Sequence, residues 1–246
     1  MQSPARKHYA RVAAAQAAGT ANPGRPQNGQ QYEVHAAALW EARRTLKGIK
    51  STEQKIAKKR ELLPEFDAYV AGVLEAGNGA QDDVLMTVMI WRLDIGDIEG
   101  ALAIGEYAMR HSLDAPDRFE RDTPSILVEQ LAEEAMRQLE APHDDTDEGR
   151  QAAANAAAEL TMYLSRVEAL TSDADMHDPI RAKLHKALGY AYRARGGHVA
   201  DAIEHLKRAL ELNDRAGVKK DIEKLERELK QQNAGQGTAQ NSGAPA

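Results

Sequence analysis

An all-α fold is predicted, with basic N-terminal helices followed by helical hairpins and a tetratricopeptide-like C-terminal part. Three observations lead to it. Ala and Leu dominate the apolar residues, Val and Ile are sparse, and only two Phe and two Trp occur in 246 residues. That bias suits helices packed through small side chains and disfavours sheets. Apolar positions recur at steps of three and four along most of the chain. Gly- and Pro-bearing stretches at 19–30, 77–79 and 141–149 interrupt them, where a helix cannot easily continue. The length leaves room for one or two domains with a sizeable core.

Residues 3–18 read as a helix, with Ser3 as N-cap, Pro4 in the first turn and Gly19 as its end. The Gly/Pro/Asn stretch that follows holds neither helix nor core, so 1–30 is expected to be a mobile basic arm and linker carrying Arg6, Lys7 and Arg11. From 31 to 63 the spacing is heptad-like, through Leu39, Ala42, Leu46, Ile49, Glu53, Ile56, Arg60 and Leu63. Arg43, Lys47, Lys50 and Lys58 fall on a neighbouring stripe, and Gly48 and Ser51 permit a break. Residues 64–140 form a helical domain. It begins at Pro64 and includes a nearly all-apolar helix over 81–92, an amphipathic helix over 98–111 and a helix from Pro124 to about Glu140. The acidic segment 141–150 is the preferred domain boundary. Helices over 151–170, 179–194, 199–213 and 217–231 complete the C-terminal part, 151–231, and 232–246 is a disordered tail.

A weak internal repeat relates 96–113 to 197–213, sharing a Gly, a β-branched residue two positions on, and the pairs Ala101/Ala202 and Ala108/Ala209. Upstream, Leu188, Gly189 and Tyr192 take first-helix positions of a tetratricopeptide unit. Small residues there let two helices approach closely, which is a packing device.

Charge is unevenly placed. Residues 1–63 hold 12 Lys+Arg and 4 Asp+Glu, while the remainder holds 20 and 34, for a net −6. A basic end on an acidic body suits a polyanionic partner, or alternatively two halves that attract each other. The absence of cysteine excludes disulfides and thiolate metal sites and fits a reducing compartment. No apolar run approaches bilayer length, and MQSPARKHYA lacks the apolar stretch of a signal peptide. No glycine-rich phosphate loop is present, so ATP hydrolysis by this chain is not expected.

The strings RTLKGIKSTEQKIAKKRELLP (44–64), GAQDDVLMTVMIWRLDIGDIEGAL (79–102), DADMHDPIRAKLHKALG (173–189) and AGVKKDIEKLERELK (216–230) resemble the small, endonuclease-labelled terminase subunit of temperate contractile-tailed phages with cohesive ends. The resemblance lapses in the two linkers and the tail. It implies a subunit that binds phage double-stranded DNA at the cohesive-end site and supports cutting and packaging beside a large ATPase subunit. It also implies a homo-oligomer, no membrane, and the host cytoplasm as its place of action.

For DNA contact the candidates are Arg43, Arg44, Lys47, Lys50, Lys55, Lys58, Lys59 and Arg60. Lys and Arg displace counterions from phosphates, and the bland alternative is a solvated helix face. Neither aromatic interleaving nor a helix-turn-helix pattern is evident, so neither base stacking nor base readout is expected. A nuclease needs carboxylates converging on a divalent metal, usually Mg²⁺. Asp82 and Asp83 are the adjacent acidic pair inside a resembling string, and their alternative role is to favour a helix N-terminus. Asp94 and Asp97 read as turn residues, and Asp94 lies roughly 18 Å from Asp82 at helical rise. No metal-ligand set is assigned. His143 lies with Asp144 and Asp145 in the acidic segment, and His185 and His205 take helical packing or surface positions. Three readings stand: a DNA-recognition subunit that loads a motor, an intrinsic Mg²⁺-dependent endonuclease, and a helical scaffold that binds only protein.

Overall fold

The computed structural model describes residues 4–116 and 121–241, with side chains described to Asn233. Among these residues there are eleven α-helices and one 3-10 turn, and the only strand-like pairing is an isolated bridge between Pro26 and Gln81. The chain is all-α. It divides into two compact units, Met1–Gln130 and Leu131–Ala246. The division falls inside a helix, whereas the sequence places a boundary at 141–150.

The first unit opens with α1 (Pro4–Gly19), which ends at the expected glycine. Ser3, expected to cap it, lies outside the described residues, as does 117–120. The expectation of a free arm is corrected. α1 packs on α4 (Asp67–Ala76), burying Ala14 and Ala18. The contact works because Gly72 has no side chain: a Cβ there would meet the Arg11 carbonyl and lie 2.7 Å from the Ala14 methyl. The linker is also held, since Gly24 N donates to Gly79 O at 2.9 Å and Gln27 N to Gln81 O at 2.7 Å. Backbone groups that have no helical partner find one in the 79–81 loop.

The heptad stretch is two helices, α2 (Gln30–Lys47) and α3 (Thr52–Leu62), broken where Gly48 and Ser51 allow it. Gly48 caps α2, and the Ser51 hydroxyl accepts from Gln54 N at 3.3 Å to start α3. Leu39, Ala42 and Leu46 are buried within the chain, where α2 packs on α5. α3 buries no residue of its own. A 3-10 turn (Leu63–Glu65) carries Pro64 and leads into α4. Next comes α5 (Asp83–Ile95), apolar around most of its circumference and buried from Val84 to Trp91. Gly96, in the left-handed conformation at φ 84°, turns the chain into α6 (Ile98–Arg110), whose N-cap Asp97 accepts from Gly100 N at 3.0 Å. The first half of α7 (Thr123–Leu139) completes this unit, and Leu127 lies over Gly105 of α6.

The second unit comprises the rest of α7, α8 (Asp147–Leu170), α9 (Asp178–Arg195), α10 (Val199–Leu212) and α11 (Lys219–Asn241). Part of the acidic segment serves as the start of α8: Thr146 caps it, and Asp145 and Asp147 pair with Arg150 at 2.6 Å. α9 and α10 form a hairpin with a close approach at Gly189, where a Cβ would lie 2.6 Å from Leu206 Cγ. Ala202, Leu206, Val218, Ile222 and Leu225 form the core between α10 and α11. α11 continues to Asn241, beyond the end at 231 that the sequence suggests, and 242–246 lies outside the described residues.

Candidate nucleic-acid interface

The basic segment is sorted by helix geometry. Arg43, expected on the stripe beside the seam, instead turns to the inward side of Leu39 and Leu46, while Trp40, Arg44 and Lys47 line up on the outer face. Arg43 accordingly reaches α5 and donates to the Thr87 hydroxyl at 2.6 Å. Burial lowers its pKa, and the nearby Asp83 carboxylate opposes that effect. Lys59 pairs with Asp94 at the end of α5, and Arg60 donates to the Ile95 carbonyl at 3.1 Å. Lys58 pairs along its own helix with Glu61 at 2.6 Å. Three of the eight expected DNA contacts, Arg43, Lys59 and Arg60, are therefore drawn against α5 and its end.

The others present their charge outward. Arg44 has 68% of its side chain exposed, with Glu41 at 3.5 Å as a solvated neighbour. Lys47 at the end of α2 and Lys50 in the turn are exposed, and Lys55 on α3 is half-buried. An aromatic residue belongs with them. Trp40 is 59% exposed, and the Arg44 guanidinium lies over its ring at 5.5 Å from the centroid. The expectation that no aromatic accompanies the basic stripe thus missed Trp40, although its position one turn before Arg44 is visible in the sequence.

Asp82 and Asp83 begin α5. Asp82 is 1% exposed, and its two carboxylate oxygens are already used: Oδ1 accepts from Leu85 N at 2.9 Å and Oδ2 from the Tyr69 hydroxyl at 2.6 Å. Burial raises its pKa, against the lowering effect of those hydrogen bonds. Asp83 is half-buried in the first turn. A hard cation such as Mg²⁺ requires oxygen ligands open to water and phosphate. A sealed helix cap does not fit that ion.

The family model described as phage small terminase subunit matches residues 36–179, more than half of the chain. The chain belongs to that family. The matched region contains the whole basic segment and the first turn of α5. Among related proteins, the terminase endonuclease subunit of Escherichia phage P2 is 48% identical over 233 residues, covering 94% of this chain and 87% of that protein. The probable terminase endonuclease subunit of Haemophilus phage HP1 (strain HP1c1) is 25% identical over 211 residues, covering 80% and 70%. No solved structure matches. Among the described residues of this small terminase subunit, no helix is long and apolar enough to cross a membrane.

Proposed function

We propose that this small terminase subunit grips phage double-stranded DNA with the outer face of α2 and the α2–α3 turn, and delivers it to a large ATPase subunit in the host cytoplasm. The exposed cations Arg44, Lys47 and Lys50, on a chain segment with almost no acidic residues, carry the reading. Each phosphate that they neutralise releases counterions and adds affinity that does not depend on sequence. Trp40 beside Arg44 adds a flat apolar surface at the same place. The subunit acts as a homo-oligomer, which multiplies one modest basic face along the duplex.

Replacing Arg44, Lys47 and Lys50 with Glu should weaken binding to any duplex. It should also flatten the dependence of log K on log salt by roughly 0.9 for each phosphate that is no longer neutralised. Equal affinity and equal slope in the variant, measured by anisotropy across a salt series, would remove this face from the proposal. Arg43→Lys is the contrasting variant. Its target is Thr87, so it should change stability and leave the salt slope in place.

The endonuclease designation of the P2 and HP1 proteins favours a second reading, intrinsic cleavage with Mg²⁺. The sealed position of Asp82 speaks for cutting by the large subunit instead. Nicking of a cohesive-end fragment by the purified small subunit with Mg²⁺ would reverse that assignment.

A further inference from the structure

The second unit brings together side chains that the sequence keeps apart. Glu168 lies near the end of α8, His185 in the middle of α9 and His205 in the middle of α10. The Nδ1 atoms of the two imidazoles are 3.1 Å apart, and Glu168 Oε1 is 3.5 Å from His185 Nδ1. One ligand atom from each of the three residues can be chosen so that all lie within 4.8 Å of one another. The ring of Tyr192 stacks on His205 at 5.4 Å and limits its rotation.

We propose that Glu168, His185 and His205 form a zinc site that ties α8, α9 and α10 together. A tetrahedral ion with bonds of about 2.0–2.1 Å holds its nitrogen and oxygen ligands about 3.3 Å apart. The observed 3.1 and 3.5 Å separations bracket that value. Closing the remaining gap needs only a rotation of Glu168, whose side chain is 35% exposed. Two imidazoles and one carboxylate suit zinc and its neighbours and disfavour Mg²⁺, which takes oxygen ligands. The fourth position is open to water.

Partial exposure of all three ligands leaves a path for the ion. Binding would clasp three helices that otherwise rely on packing, and binding to the folded state alone raises stability by mass action.

The test uses the full chain, purified without a polyhistidine tag and stripped with chelator. Because the chain has no cysteine, thiolates cannot confound it. Isothermal titration with Zn²⁺ should saturate at one ion per chain, be unaffected by excess Mg²⁺, and raise the thermal midpoint. His185→Ala with His205→Ala should abolish that saturable binding while far-UV circular dichroism stays helical. Glu168→Gln, a near-isosteric change at the more exposed ligand, should weaken Zn²⁺ at least about tenfold. No saturable binding by the parent chain, or binding retained at full strength in Glu168→Gln and in the double variant, overturns the proposal.

Discussion

At the scale of single residues, Asp82 illustrates how one carboxylate is committed by its surroundings. It caps α5 through Leu85 N and receives the Tyr69 hydroxyl, itself part of a buried side chain. Asp82→Ala removes the cap and strands that hydroxyl, for an expected cost of about 2–3 kcal/mol in urea unfolding. DNA affinity should not change. The pH dependence has a definite sign. Burial raises the folded pKa of Asp82 above its ordinary value, so the folded state holds the proton more tightly. Its contribution to stability is therefore fully present below the ordinary value near 3.9 and is lost as pH rises through the raised folded value. Asp82→Asn does not ionise, so its stability relative to the parent should improve from about pH 4 upwards. A flat difference between the two across pH 4–8 would contradict burial as the dominant influence.

At the scale of elements, local residue types set where most helices stop, because caps and breaks are local, although α11 runs past its expected end. Gly19, the Gly48–Ser51 break, Pro64 and Gly96 all end or turn helices where the residue types require it. Docking depends instead on what arrives from elsewhere in the chain. α1 is rich in alanine and weakly amphipathic, and nothing within it specifies a partner. Gly72 of α4 provides one, since only glycine lets the Arg11 and Ala15 backbone come so near. Gly72→Ala should push α1 away at a cost of about 1–3 kcal/mol. Limited proteolysis should then cut within 20–30 much faster, and an unchanged cleavage rate would show that α1 is not held there.

At the scale of the whole molecule, three of the twelve cations in 1–63 are drawn inward, because Lys59, Arg60 and Arg43 turn towards α5 and its end. The heptad residues are divided in the same way. Leu39, Ala42 and Leu46 belong to the first unit's own core, leaving Trp40 and Val34 as the exposed large apolar groups of α2. Leu46→Ala should consequently cost about 2–5 kcal/mol of stability at any protein concentration. The proposed homo-oligomer must instead use outward residues away from the DNA face, so Val34→Glu should lower the mass measured by light scattering in the micromolar range without unfolding the chain. If Leu46→Ala lowers the mass and leaves stability intact, the seam is an intersubunit interface.

The sequence by itself determined the all-α class, the order of the helices and most of their ends, because helix propensity, capping and apolar spacing act over a few residues. It also carried the strings by which the family is legible. The tertiary structure alone decided which of eight neighbouring cations face solvent, since their partners Thr87, Asp94 and Ile95 lie 35–44 residues away. It decided that Asp82 is sealed by Tyr69, 13 residues before it, and that His185 meets His205 across 20 residues and a turn. Periodicity tells which side of a helix is apolar. It does not tell which distant atom will lie against that side, and charge, metal affinity and access to DNA all depend on that neighbour.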